Sequence, residues 1–331
     1  MILVTGATGF VGSYLVCNLL HQNKKVRALK RESSSLSEFE FICKVNAITP
    51  EQLKNLEWVT TDILDLGDLE NAFEGIIEVI HCAAIVSFVP NDMEAIMRTN
   101  VEGTANMVNL SLHFGIKKFG YISSIAAIGR SISNNLIDEN TKWETSENNT
   151  VYAESKFAAE MEVWRGIQEG LNAVMVNPGI IIGAGDFTRG TGKMFETAKN
   201  GLMFYTPGVN GFVDVRDVVN CLIQLMDQNI FNERFILVSE NYPYKQFYDE
   251  ATHCLKKPKP KFNTPFWMAV IGYRLLALKS FFTGKPPLLT KETTHAAYKK
   301  YYYDNSKIKK ALRIELMKVN ETIKWTCSWY Q

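Results

Sequence analysis

The sequence predicts a doubly wound α/β fold, a parallel sheet covered by helices on both faces, with a smaller C-terminal lobe. Three observations carry this. Short apolar runs alternate with longer segments of helical period up to about residue 180, and parallel strands need such crossover helices. The first run, Ile2 to Val4, leads through Thr5 into three glycines spaced three apart, Gly6, Gly9 and Gly12. A chain of 331 residues, 46 % hydrophobic and 21 % charged, is long enough for one large α/β domain plus a lobe.

The elements follow in order. ILVT (2–5) is a strand, and FVGSYLVCNLL (10–20) is a helix with Val11, Leu15 and Leu19 on one face. KVRALK (25–30), LEWVTTD (56–62) and EVIHCAA (78–84) are the next strands. A helical stretch spans 93–114, the strand KFGYISS 118–124, a second long helix 152–168 and the strand AVMVNPG 173–179. The predicted sheet domain is therefore 1–180, and 181–331 is mostly a smaller lobe and lid. Strand and helix pieces at about 212–240 are expected to return to the sheet. Near the end, two Pro/Lys-rich borders enclose one apolar helix, 265–282. Phe266, Trp267, Phe281 and Phe282 at its ends suit an interfacial membrane helix. With Arg274 and Lys279 its only cations, packing on the substrate cleft or a second subunit is the reading preferred.

Composition excludes several classes. Lys and Arg total 36 against 35 Asp and Glu, which gives no electrostatic case for nucleic acid or a membrane surface. A small-molecule substrate is the expected partner. The six cysteines are scattered without C-x-x-C or His/Cys spacing, so no metal is expected. No run reaches the length of a membrane span, and the first strand starts at Ile2. A cytoplasmic protein is expected.

A glycine-rich turn between strand and helix lets the backbone approach a pyrophosphate, whose charge rests on unpaired helix N–H groups. The second strand ends in VRALKRESSS (26–35), with Lys30 and Arg31 where an NAD site usually carries an acid. Arg31 offers a planar fork suited to a 2′-phosphate, which favours NADP over NAD. Tyr152 and Lys156 stand four apart on one helix face. Lowering a tyrosine pKa from 10 to about 7 takes roughly 4 kcal/mol. An ammonium about 4 Å away at an effective dielectric near 20 supplies that much.

TGATGFVG (5–12), Asp62 in TTDILD, HCAA (81–84), Asn100 in RTNVEGT, YISS ahead of Gly129, Tyr152-x-x-x-Lys156 and NPGIIIG (177–183) occur in this order. Together they resemble the extended branch of the short-chain dehydrogenase/reductase superfamily, with its Rossmann fold. The resemblance implies that Gly6, Thr8, Gly9, Phe10, Val11 and Gly12 hold the pyrophosphate and that Asp62 and Ile63 flank the adenine. It places Ala83 and Ala84 at the nicotinamide-side phosphate and ribose and Pro178, Gly179, Ile180 and Ile181 beside the nicotinamide, with Cys82 and Ser123 as further cofactor-binding residues. Tyr152 is then the general acid/base, Lys156 lowers its pKa and binds the ribose, and Ser124 polarises the substrate oxygen. Ser123 competes with Ser124 for that role. Asn100 holds Lys156 through a water or a backbone carbonyl.

VRALKRESS, YISSIAAIG and NPGIIIGAGD look like the dihydroflavonol reductase and 3β-hydroxysteroid dehydrogenase group, which implies net reduction of a ketone or aldehyde, or oxidation of the alcohol. The alternatives are a nucleotide-sugar epimerase or dehydratase with bound cofactor, and a non-catalytic dinucleotide sensor. Phe204, Tyr205, Phe212, Phe266, Trp267 and Tyr273 are candidates for an apolar substrate pocket. Lys193, Arg189 and Arg216 are candidates for a sugar-nucleotide diphosphate, with an Arg216–Asp217 ion pair as the plainer reading. The resemblance also implies a homodimer through helices 92–114 and 152–169, where Met93, Ile96, Met97, Met107, Phe157, Met161 and Trp164 are surplus apolar residues.

Overall fold

The computed structural model describes residues 1–87, 92–129, 136–145, 149–283 and 291–330; the side chains of 277–283 and 292 lie outside the description. Seven parallel strands form the main sheet: β1 (Ile2–Thr5), β2 (Val26–Lys30), β3 (Leu56–Thr60), β4 (Glu78–His81), β5 (Lys118–Ile122), β6 (Ala173–Pro178) and β10 (Glu233–Leu237). Their order is β10-β6-β5-β4-β1-β2-β3. Chain order reverses between β1 and β4, and the crevice beyond the carboxyl ends of strands at such a reversal is where α/β sheets bind ligands. β6 is AVMVNP, buried at every position, as expected of a strand covered on both faces.

Helix α1 (Phe10–His21), α2 (Ser37–Val45) and α9 (Val215–Asp227) pack on one face. On the other, Met107 and Val108 of α6 (Gly103–His113) meet Ala159 and Val163 of α7 (Val151–Gln168), together with α4 (Leu66–Ala72). Capping side chains start several of these helices: Asp65 for α4, Thr150 for α7 and Asp214 for α9. Between α5 (Met93–Met97) and α6 the chain makes one wide π-type turn, Arg98–Glu102.

A second, three-stranded sheet joins β7 (Ile180–Ile182), β9 (Val209–Asp214) and β11 (Glu240–Pro243). Its own core is formed with α8 (Gly192–Asn200), α10 (Tyr244–Cys254) and α14 (Val319–Ser328), around Phe195, Phe212, Phe247 and Ile323. A two-stranded ribbon, β8 (Phe204–Tyr205) with β12 (Phe262–Asn263), leads to α11 (Phe266–Thr283).

Several lid expectations are corrected. Phe212 is a core residue stacked on Phe247 at 5.5 Å rather than a pocket wall. Phe204 meets Phe262 on the surface ribbon, and Phe266 and Trp267 are exposed. Arg216 pairs with Asp214, the N-cap of α9, at 2.6 Å and lies over the Trp325 ring, whereas Asp217 accepts the Met317 N–H. Helix α11 packs against α12 (Lys291–Ala296). Phe281, Phe282 and Lys279 fall outside the described side chains. In the dimer set, Ile96 and Met107 are buried within the subunit and Phe157 stacks on Trp143 at 4.5 Å; Met93, Met97 and Met161 are exposed.

Candidate active site at the sheet switch point

The carboxyl ends of β1, β4, β5 and β6 bring the sequence-predicted residues to one edge. Gly6 has φ +66°, and a Cβ there would lie 2.7 Å from the Ala83 nitrogen, so the β1 and β4 turns pass too closely for any side chain. A Cβ at Gly12 would lie 2.1 Å from the Gly6 carbonyl oxygen, whereas at Gly9 the nearest atom is 3.4 Å away. Gly6 and Gly12 are thus fixed by the protein's own packing, and Gly9 faces space. As the N-cap of α1, Gly9 supplies no side-chain acceptor, and the first turn holds no acid. The leading amides, those of Phe10 and Val11 among them, are left for an anion. The residues fit a dinucleotide pyrophosphate on these grounds.

Around this turn, Thr8, Phe10 and Val11 are half-buried, with the Phe10 ring covering Gly183 and Gly185. Lys30 ends β2 and Arg31 follows it; Arg31 is exposed, and its backbone N–H donates to Ser34 Oγ. Asp62 is half-buried and accepts the Leu64 N–H, while Ile63 turns its side chain inward against Gly103. At the adenine end Ile63 therefore offers backbone. Cys82 and Ala83 donate their N–H groups to Thr5 Oγ1. Burial pushes the Cys82 thiol up to about 12, so it remains a thiol. Pro178 closes β6, Ile180 and Ile181 lie in β7, and Gly179 lets the Gly211 carbonyl cross at what would be 2.4 Å from a Cβ.

A buried polar chain supports the β4 turn. Thr104 Oγ1 donates to the Asn100 carbonyl at 2.6 Å, so it accepts from His81 Nε2, and His81 Nδ1 accepts from Thr5 Oγ1 at 2.6 Å. Burial pushes the His81 pKa down to about 3, with the Lys156 charge adding to it; the neutral ring has one donor and one acceptor, as this chain requires.

Ser124 follows β5 in extended backbone and caps the short turn 125–127, its Oγ accepting the Ala126 N–H. Its side chain also hydrogen-bonds Tyr152. Burial raises the Tyr152 pKa, and the Ser124 bond lowers it. Ser123 is differently employed: its hydroxyl donates to Glu160 at 2.7 Å, and Glu160 is held by Asn177 and by Arg234 at 2.8 Å each. That buried network anchors the serine strand. Sequence reasoning missed it; the only signal was an acid, Glu160, four residues after Lys156 on the buried face of α7.

Lys156 is 2 % exposed. Two of its three N–H groups donate, to Tyr121 Oη and to the Ile122 carbonyl, both at 2.9 Å. Burial pushes its pKa down to about 8, against the pull of Glu160. The Lys156 ammonium is thus drawn to the Tyr121 and Ile122 oxygens at the end of β5. Asn100 is buried within the 98–102 turn. Its side chain clamps the Ile85 backbone, accepting the N–H at 2.7 Å and donating to the carbonyl, and donates to Ser155. Its link to Lys156 runs through Tyr121 Oη and Thr104 Oγ1 to the Asn100 carbonyl.

A family model described as the NAD dependent epimerase/dehydratase family matches residues 2–236. Over 99 % of this chain and 94 % of the relative, the sequence is 30 % identical to a Synechocystis protein provisionally named dihydroflavonol 4-reductase. It is 29 % identical to sterol demethylase protein B of Methylococcus capsulatus, over 80 % of this chain and 77 % of the relative. The fold superposes on UDP-glucose 4-epimerase of Thermotoga maritima with TM-score 0.76 and 21 % identity, covering 99 % and 98 % of the two chains.

Proposed function

This chain belongs to the NAD-dependent epimerase/dehydratase family, and from that premise we propose that it is an NADP-dependent oxidoreductase reducing a ketone or aldehyde on a small apolar or aromatic substrate, or oxidising the alcohol. The observation that supports this most directly is the Ser124–Tyr152 hydrogen bond at the carboxyl end of β5, a donor pair of the kind a carbonyl oxygen needs.

The reduced nicotinamide, when bound, supplies hydride to the carbonyl carbon. Tyr152 donates its phenolic proton to the carbonyl oxygen as charge develops there. Ser124 Oγ–H polarises that oxygen and holds the Tyr152 hydroxyl towards it. Lys156 keeps a positive charge beneath the site with one N–H uncommitted to Tyr121 or Ile122. Asn100 fixes the Ile85 backbone, beyond which Val86 is exposed; with Ile125 next to Ser124, this gives the edge an apolar character that fits the polycyclic substrates in the relatives' names. Exposed Arg31 and the serines after it receive the 2′-phosphate, and Gly6, Gly9 and α1 the pyrophosphate. Among the diphosphate candidates of the sugar-nucleotide alternative, Arg216 is consumed by Asp214 and Trp325.

The test follows cofactor absorbance and product identity together, with ketone or aldehyde and nucleotide-sugar panels. Stoichiometric NADPH loss with a carbonyl compound is expected, with Tyr152→Phe lowering kcat at least about a thousandfold while cofactor affinity holds. An isomerised or dehydrated sugar with no net cofactor change would overturn the reductase reading. In Arg31→Glu, preference should move towards NADH.

A further inference from the structure

Helix α11 is apolar on every side, FWMAVIGYRLLALKSFFT, a pattern that in a water-soluble chain belongs in a core. Yet Trp267, Ile271 and Leu275, spaced four apart on one face, are exposed, Trp267 at 64 % and Leu275 at 62 %. The ribbon before it continues the patch: Met203 and Phe262 are 64 % and 56 % exposed, and Phe204 lies beside Phe262. Ribbon and helix are held together, since Tyr298 donates to the Thr264 carbonyl and packs its ring edge-on against Phe266. Ribbon and helix, adjacent in the chain and joined through Tyr298, thus expose more large apolar residues than scattered surface positions explain.

Its charge surroundings are lopsided. Residues 251–300 hold ten of the 36 Lys and Arg but one of the 35 Asp and Glu. Lys256, Lys257, Lys259 and Lys261 are all exposed and run directly into Phe262. The remaining chain is therefore net negative, although the whole is near neutral. A protein interface of ordinary kind depletes lysine at its centre and mixes signs at its rim. Aliphatic residues and an exposed tryptophan bordered by lysine of one sign are instead the features of a segment lying in the headgroup region of an anionic bilayer, with lysine stems alongside the apolar surface and ammonium groups on the phosphates.

We propose that the face formed by α11, Met203, Phe204 and Phe262, with the 256–261 lysines, docks on an anionic lipid surface. This holds independently of the reductase reading.

The experiment is co-sedimentation of the purified full chain with vesicles of phosphatidylcholine alone or mixed equally with phosphatidylglycerol, at low and high salt. Partition into the phosphatidylglycerol vesicles is expected, falling with salt. Two variants, Trp267→Ser/Ile271→Ser/Leu275→Ser and Lys256→Gln/Lys257→Gln/Lys259→Gln/Lys261→Gln, should each lower the partition coefficient at least about tenfold. Both should keep the parent melting temperature and NADPH affinity, which separates a lost surface from a lost fold. Absence of partition, equal partition on both vesicle types, or partition indifferent to both variants would overturn the proposal. So would light scattering in which the apolar triple variant turns an oligomer into a monomer, since a second copy would then cover the face.

Discussion

Lys156 is a full charge kept almost entirely from water, and its surroundings set how the site responds to pH. With its pKa pushed down to about 8, the ammonium is lost just above neutrality. Carbonyl reduction is expected to hold steady from pH 6 to 7 and to fall as pH passes about 8, read as kcat/KM against pH. The sign for stability is the same residue seen from the unfolded chain, where its ordinary value is 10.5. Below pH 8 the fold carries the whole cost of burying the charge; between 8 and 10.5 the folded lysine sheds a proton that the unfolded one keeps, so this contribution to stability rises with pH. Tyr121→Phe removes one acceptor from the buried ammonium. It should move the alkaline limb to lower pH and cost about 1–3 kcal/mol in urea unfolding; an unmoved limb would mean that Tyr121 does not support the charge. That Tyr152 and Lys156 share one helix was legible because their spacing is local. Tyr121 was not, since its partnership with Lys156 spans two elements that only the sheet brings together.

At the scale of elements, the glycine turn separates two jobs that the sequence shows as one. Gly12→Ala drives a methyl into the Gly6 carbonyl and should cost about 3 kcal/mol or more as α1 is forced off β1. Gly9→Ala has room within the protein, so stability should change by less than about 1 kcal/mol while dinucleotide affinity drops. Paired thermal melts and cofactor titrations distinguish the two. In α9, burial pushes Asp217 up to about 6, offset in part by the Met317 N–H and reinforced by Asp214. Its folded pKa exceeds the usual 3.8, so stability falls as pH climbs from about 4 to 6. Asp217→Asn should therefore raise the unfolding free energy at pH 7 by up to about 3 kcal/mol, with the gain vanishing near pH 4. The order of strands and helices to residue 180 was readable from hydrophobic period alone. The partners of lid side chains, such as Phe212 and Arg216, were not, because aromatic residues in a core and in a pocket have the same spacing.

Across the whole molecule, the two helices on which the resemblance implied a dimer leave Met93, Met97 and Met161 exposed, Met93 at 52 %. Met93→Lys/Met161→Lys should convert a dimer to a monomer by light scattering; a parent already monomeric would remove that role. Net charge near zero correctly described the sum of this chain and hid its distribution, since a basic segment and an acidic remainder cancel. The seventh strand has a consequence for how the protein comes into being. β10 is drawn from residues 233–237, yet it lies beside β6 and completes the sheet that β1 began. Until the ribosome has released that stretch, β6 has an open edge of unpaired backbone groups, a template for the wrong neighbour. A nascent chain stopped near residue 185 should emerge aggregated, and one extending past residue 240 should be the first to refold. The sheet that the first half of this chain begins is therefore finished by its second half.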